Sequence, residues 1–406
     1  MDRATTISTS QAAPVAAGAG AVTSGAAANA VRVMVVDDSA VIRGLVKRWI
    51  DETDGLEVAG SCSNGKQAVD QVGTVKPHIV ILDIEMPQMD GLEALPGILA
   101  GSPGTKVIMA STLTLRNADI SLKALSLGAT DYVPKPDSAR GIAGSEEFRR
   151  EILVKAQALG RSAQRAMGAA GSTGTAGEGA GRATAASKAA PARPAIPLGP
   201  APDKIEVRKA SSVPPRILAI GSSTGGPQAL FDVFEKIGPA IGAVPVVITQ
   251  HMPPAFTKIL AEKLGRLSGL PAKEGEDGER LQAGQIYVAP GDYHMRLRKD
   301  GPGVAIALDQ EPPVHFCRPA VDPMFESVSK LFGPATLGVV LTGMGHDGRD
   351  GGRIIADAGG TIYAQDEATS VVWGMPGACA QAGICAAVYP LDQISSAITR
   401  QFAGRR

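Results

Sequence analysis

The chain has 406 residues, 44% of them hydrophobic and 20% charged, enough for two or three domains with buried cores. Its formal net charge of +0 offers no global field for nucleic acid or anionic lipid, which weighs against a DNA-binding regulator. The four cysteines, Cys62, Cys317, Cys379 and Cys385, contain no Cys-x-x-Cys pair and no His/Cys metal spacing. They read as buried thiols in a reducing compartment.

Residues 1–30 are mostly Ala, Gly, Ser and Thr with no compact Leu/Ile/Val core, so they are expected to be a disordered extension and not a secretory leader. No apolar stretch approaches the ~18 residues that a membrane helix needs. From 31 to 160, short β-rich runs alternate with helical patterns. The runs are Val31–Val36, Glu57–Gly60, His78–Leu82, Lys106–Ala110 and Asp131–Val133. After the first run, Ser39 is placed to cap a helix whose apolar face carries Val41, Leu45 and Trp49 beside Ile42, Val46 and Ile50. Strands with intervening helices predict a doubly wound parallel α/β sheet, flavodoxin-like in this block. Residues 161–213, and Gly168–Val213 above all, collapse into Ala, Gly, Ser, Thr and Pro and are expected to be a flexible linker. Such a segment spans on the order of 35–40 Å. From 214 to 406 the alternation resumes, with runs at Arg216–Ser223, Val244–His251, Gln285–Ala289, Val304–Leu308, Thr336–Gly343, Gly360–Ala364 and Ile384–Val388. This block predicts a second, larger Rossmann-like parallel sheet.

In a parallel sheet the carboxyl ends of the strands share one edge, where ligands bind. Asp37 and Asp38 end the first run and Asp83 the third, so three carboxylates are expected to meet there. Packing three anions is unfavourable without a hard cation, and Mg²⁺ with oxygen ligands is the natural occupant. Ser111 ends the fourth run with a hydroxyl and Lys135 the fifth with an ammonium. Together these groups can support transfer of a phosphoryl group to a carboxylate. Any one Asp at a strand end reads more readily as a solvated loop residue, but the matching set reverses that. The signatures Val35-Val-Asp-Asp-Ser39, Leu82-Asp-Ile-Glu-Met-Pro87, Met89-Asp-Gly91 and Lys135-Pro136 make this block resemble the receiver domain of two-component response regulators. The resemblance implies that Asp83 accepts the phosphoryl group. It further implies that Asp37, Asp38, Asp83 and the backbone carbonyl of Glu85 hold Mg²⁺, and that Ser111, Tyr132 and Lys135 are the switch residues.

In the second block, Gly221-Ser-Ser-Thr-Gly225 fits Gly-x-Ser-x-Gly between a strand and a helix that Pro227 can start. Such a turn exposes the Ser223 hydroxyl and offers the N–H of Thr224 to an oxyanion. His251 and Asp347 also follow apolar runs, and a serine hydroxyl needs a base held by a third group. Each residue alone has a plain structural explanation; the three together predict acyl-transfer chemistry. A rival pattern exists. Gly343-x-Gly345-x-x-Gly348 follows a strand, with Asp366 about twenty residues on, as in dinucleotide-binding units. It leaves Ser223 and His251 without a role. The order Ser, His, Asp also differs from that of α/β-hydrolases. That order resembles the catalytic domain of chemotaxis protein-glutamate methylesterases, as do Ile220–Gly226, Thr249–Pro254, Tyr287–Asp292, Arg318–Asp322 and Leu341–Gly348.

The resemblance implies a phosphorylation-activated hydrolase that demethylates glutamyl methyl esters on chemoreceptors, releases methanol and deamidates protein glutamines. Ser223, His251 and Asp347 are then catalytic, with N–H groups of Thr224 and Met344 as oxyanion donors. Mg²⁺ serves the receiver, and the esterase site needs no cofactor. Expected partners are methyl-accepting chemoreceptors and a chemotaxis histidine kinase as phosphodonor. Nucleic acid and membrane insertion are not expected, and the location is cytoplasmic. The alternatives are a non-enzymatic docking protein switched by phosphorylation, or the same triad acting on another ester.

Overall fold

The structure, a computed structural model, describes residues 30–112, 114–135, 141–171 and 205–403. The first unit contains β1 (Val31–Val36), α1 (Ala40–Asp51), β2 (Leu56–Cys62), α2 (Gly65–Val75), β3 (Ile79–Asp83), α3 (Gly91–Gly101), β4 (Lys106–Ser111), α4 (Leu115–Ser126), β5 (Asp131–Pro134) and α5 (Gly141–Gly171). Its strands lie in the order β2-β1-β3-β4-β5, and every pairing is parallel. Alternation along β1 sorts the core. Met34 and Val36 face the helices α2, α3 and α4, while Val31, Val33 and Val35 face α1 and α5. The parallel α/β fold expected here is present.

The helix starts follow from capping. Ser39 Oγ accepts from Ile42 N (3.4 Å), and Asp90 and Glu93 close a reciprocal capping box on α3. The apolar face expected on α1 is only partly buried. Val46, Trp49 and Ile50 are in the core, but Val41 is 71% exposed. At about 100° per residue, Val41 and Leu45 each lie one step round the helix from the Ile42, Val46 stripe.

The second unit contains β6 (Ile217–Ser222), α6 (Gly226–Ile241), β7 (Val246–Gln250), α7 (Phe256–Ser268), β8 (Ala272–Glu274), β9 (Ile286–Val288), β10 (His294–Asp300), β11 (Gly303–Asp309), α8 (Val321–Phe332), β12 (Thr336–Val340), α9 (Arg349–Asp357), β13 (Thr361–Gln365), α10 (Met375–Gln381), β14 (Ala387–Tyr389) and α11 (Leu391–Ala403). Seven strands pair in parallel in the order β14-β13-β12-β6-β7-β9-β8, and β10 and β11 form a separate antiparallel hairpin. The run at Val304–Leu308 therefore does not join the main sheet, as its periodicity suggested. A Gly301 turn (φ +55°) folds it back on β10, whose alternating Arg296 and Arg298 obscure its strand character. The short edge strand β8, which no predicted run covered, completes the seven. The last run is shifted, with its strand at Ala387–Tyr389.

Both ends of the expected linker are structured. α5 runs on to Gly171 with Leu159 and Ala163 buried, so the first unit does not end at 160. Residues 205–213 lie against the second unit. Arg208 donates to Cys385 O (2.8 Å) and Asp357 Oδ1 (2.6 Å), and Ser211 donates to Pro334 O (2.8 Å). The remaining expected linker and the amino-terminal extension lie outside the described residues.

Helices α6 and α7 cross closely at Gly238, where a Cβ would lie 1.9 Å from the backbone oxygen of Ser268. Gly238→Ala must push the two helices apart, which is expected to cost about 3 kcal/mol or more. A calorimetric melting transition unchanged by this substitution would contradict the packing.

Candidate active site

The strand register brings the site together. Ser222 pairs with Gln250 across β6 and β7, and His251 N donates to Ser222 O (3.1 Å). Ser223 and His251 are thus neighbours at the same carboxyl edge. Continuing the strand alternation by one step places them on the face of Ile217, Ala219 and Val247, which α8, α9 and α10 cover. Gln250 braces the pair, since its Nε2 donates to Ser223 O (3.0 Å) and His251 O (3.2 Å).

Asp347 arrives from the turn between β12 and α9 and meets His251 Nε2 at 2.7 Å. The same carboxylate accepts from Val321 N (2.6 Å) and Asp322 N (2.9 Å) at the start of α8, and from Gly348 N (3.0 Å). Burial alone would raise its pKa, but His251 and these backbone donors hold it below the usual carboxylate range. Asp322 reciprocates by accepting from Gly348 N (3.0 Å) and Gly351 N (2.7 Å) at the start of α9. Burial, and then the neighbouring Asp347, push Asp322 above the usual range.

Ser223 Oγ makes no hydrogen bond among the described residues. Nδ1 of His251, the ring nitrogen that Asp347 leaves over, lies 3.3 Å from Cys317 Sγ instead. Burial lowers the proton affinity of His251, but Cys317 and Asp347 outweigh it and raise the pKa above the ordinary imidazole value. The backbone N–H groups of Thr224 and Met344 have no acceptor among the described residues. Gly343 lets the second approach the serine, because a Cβ there would lie 2.9 Å from Ser223 Cβ.

At the carboxyl edge of the first sheet, Asp37, Asp38 and Asp83 bring carboxylate oxygens within 4.8 Å of one another. Lys135 Nζ bridges Asp37 and Asp83 at 2.7 Å each. Burial raises Asp83 to about 6 against the pull of Lys135, with Asp37 adding to the rise. One ammonium thus leaves an excess of negative charge, and this all-oxygen donor set fits a hard divalent cation such as Mg²⁺. Glu85 lies in the loop that follows Asp83. Ser111 Oγ pairs with Ser121 Oγ of α4 at 3.0 Å. Tyr132 is buried and stacks on Phe256 of α7, with ring centroids 4.4 Å apart.

That stack belongs to a wider contact between the units. Arg150 lies over Phe316 at 5.2 Å, Lys263 donates to Ser126, and Val371 and Val372 pack against the core beneath α5. Val371 also sits where a Cβ on Gly225 would be, two residues from Ser223. Contacts of the first unit thus reach to within two residues of the candidate nucleophile, which is itself half-buried.

A profile of the CheB methylesterase family matches residues 218–398, and one of the response regulator receiver domain matches residues 33–143. The protein-glutamate methylesterase/protein-glutamine glutaminase of group 2 operon from Bradyrhizobium diazoefficiens is 51% identical over 391 residues, covering 96% of this chain and 98% of its own. The chain belongs to this methylesterase/glutaminase family. A namesake from Rhodopseudomonas palustris strain HaA2 is 51% identical over 376 residues, covering 92% of this chain and 95% of its own. The solved Thermotoga maritima CheB methylesterase catalytic domain is 39% identical and covers 46% of this chain and 99% of that one, with a TM-score of 0.45. The first unit is the receiver domain and the second the methylesterase domain.

Sequence reasoning had no role for Cys317, Asp322 or Gln250. Cys317 was expected to be a buried thiol like the other three; it is half-buried and touches the imidazole. The Arg318–Asp322 motif signalled the region without indicating that Asp322 caps α9. Asp347→Ala removes the acceptor from three backbone N–H groups as well as from His251. It is expected to lower the stability of the methylesterase domain by about 3 kcal/mol, with a smaller loss for Asp347→Asn. Equal calorimetric transitions for wild type and Asp347→Ala would show that other acceptors take over.

Proposed function

We propose that the methylesterase domain hydrolyses glutamyl methyl esters of chemoreceptors by a serine mechanism, and deamidates receptor glutamines by the same acyl chemistry. Ser223 attacks the side-chain carbonyl. His251 takes the serine proton through Nδ1, since Asp347 holds Nε2, and returns it to the departing methoxide to give methanol. Asp347 keeps the ring oriented and balances its charge when protonated. The free N–H groups of Thr224 and Met344 receive the oxyanion. Water then releases the glutamate by the reverse sequence. The observation that carries this reading is the His251–Asp347 bond at 2.7 Å, set beside a serine on the adjacent strand end.

The receiver supplies the control. A histidine kinase of the chemotaxis system is the proposed phosphodonor and Asp83 the acceptor. Asp37, Asp38, Asp83 and the carbonyl of Glu85 are the groups that would hold Mg²⁺. Bound there, the cation neutralises charge on the phosphoryl oxygens. Lys135 is already in contact with Asp83, and Ser111 stands at the end of the neighbouring strand to accept a new partner. Re-pairing of these groups shifts the face that carries Tyr132 and loosens the cover over Ser223. We place this chemistry in the cytoplasm, where free thiols such as Cys62, Cys379 and Cys385 persist.

Methanol release from methylated receptor is expected to fall on the order of 10³-fold or more in Ser223→Ala. Near-normal release would remove Ser223 from the mechanism. In wild type, acetyl phosphate with Mg²⁺ is expected to raise the rate, and Asp83→Asn to abolish that response while keeping the basal rate. A variant that still responds would place the acceptor elsewhere.

A further inference from the structure

An imidazole has two ring nitrogens, and Asp347 occupies Nε2 of His251, so only Nδ1 can serve Ser223. Nδ1 faces Cys317 Sγ at 3.3 Å. A thiol is a weak hydrogen-bond donor but a much better acid than an alcohol, so it can share its proton with a ring nitrogen where a serine hydroxyl does not. The backbone that carries the sulfur is held in place, which leaves only rotation of the Cys317 side chain. Val314 and Cys317 exchange two backbone bonds (3.1 and 2.9 Å), and the next residue, Arg318, is anchored on Asp292 (2.7 Å) and on Gln310 O and Glu311 O (3.1 Å each).

Resting on the esterase reading above, we propose that Cys317 is a positioning residue. In the receiver-covered state its thiol holds Nδ1 of His251 away from Ser223, and the serine becomes a nucleophile only when the sulfur releases that nitrogen. The step needs no other reactant. One proton is shared between Sγ and Nδ1. When it stays on sulfur and the thiol turns away, the Nδ1 lone pair is free to take the Ser223 proton.

The receiver bears on this hold through α5. Burial disfavours the charge on Lys155, but Asp131, Glu151 and Cys317 outweigh it and raise the lysine's proton affinity. The receiver thereby brings a cation toward the Cys317 side of the imidazole. Arg150, over Phe316 at 5.2 Å, adds a second cation to the same side. Displacing the receiver removes both. Further titratable groups near the pair are Asp347, Asp322 on α8, and His315, whose ring lies 3.2 Å from Asp322 Oδ2, with His346 and Asp350 beside it.

The test is the rate at which a fluorophosphonate labels Ser223 in the full-length protein between pH 5 and 9, with and without acetyl phosphate and Mg²⁺. Cys317→Ala is expected to speed labelling of the unphosphorylated protein on the order of tenfold, the worth of one lost hydrogen bond. Cys317 raises the proton affinity of His251, so removing it should also move the rising limb of the pH profile to lower pH. The gain over wild type should shrink once both proteins are phosphorylated. Cys317→Ser keeps the packing and should lie between. Rates at or below wild type in both variants, with an unmoved limb, overturn the role of Cys317 while leaving the esterase reading intact, provided phosphorylated wild type labels at Ser223. Failure of phosphorylated wild type to label there overturns the esterase reading, and this inference with it.

Discussion

The methylesterase domain is organised around one buried carboxylate. Asp347 is 1% exposed and accepts from the imidazole and from three backbone N–H groups. An unpaired charge at that depth would be very costly, so the surrounding groups must stay where they are. That requirement fixes the start of α8, the turn leading into α9, and the ring of His251 together. Asp322 extends the lock by capping α9 from the first turn of α8. The geometry of the proposed triad and the packing of two helices therefore share the same few hydrogen bonds. A change that loosens His251 also loosens the fold.

The receiver adds a second constraint on the same edge. Its apolar cluster on the α2–α4 side continues into that of α6 and α7, with the Tyr132–Phe256 stack among the contacts between the domains. Lys155 donates to Tyr132 O (2.6 Å) and pairs with Asp131 (3.2 Å), which ties α5 to the end of the receiver sheet, and Arg150 of the same helix lies over Phe316 in the loop beside His251 (5.2 Å). At the far side of that sheet end, Lys135 pairs with two of three carboxylates and Ser111 is engaged with Ser121. One ammonium among three carboxylates already leaves an excess of negative charge before any phosphoryl group is added. A phosphoryl group on Asp83, as proposed, would turn its single carboxylate charge into about two, so Lys135 and Ser111 would re-pair, and β5 carries the stacked tyrosine and leads directly into that lysine.

Most of this organisation was legible in the sequence because it depends on local rules. Strand ends that carry Asp37, Asp83, Ser223 and His251 are marked by apolar runs that stop abruptly, and the α/β alternation tells which edge they share. What was not legible depends on distant contacts. The β10–β11 hairpin hides behind alternating arginines that pair with Asp309, Glu311 and Glu326. The ordered residues 205–213 look like linker by composition, and their place is set by acceptors such as Cys385 O and Pro334 O, more than a hundred residues away. The contact of Cys317 with His251 arises from a loop whose His315 and Phe316 have positive φ, a conformation that their residue types do not announce.

The glycine pattern after β12 shows how space decides between two readings of one motif. A dinucleotide site would need open N–H groups at the start of α9 to bind a pyrophosphate. Here Gly348 N donates to both Asp322 and Asp347 at 3.0 Å, and Gly351 N donates to Asp322 at 2.7 Å, so the protein's own carboxylates already occupy that anion position. Asp366 is likewise engaged, accepting from Thr369 N (3.0 Å) and Thr369 Oγ1 (2.6 Å) in its own turn. Gly343 is small for another reason, since Ser223 lies where its side chain would be. Gly343 and Gly348 of the fingerprint thus serve the proposed triad, and the helix start that could have bound a cofactor instead holds the carboxylate that meets His251.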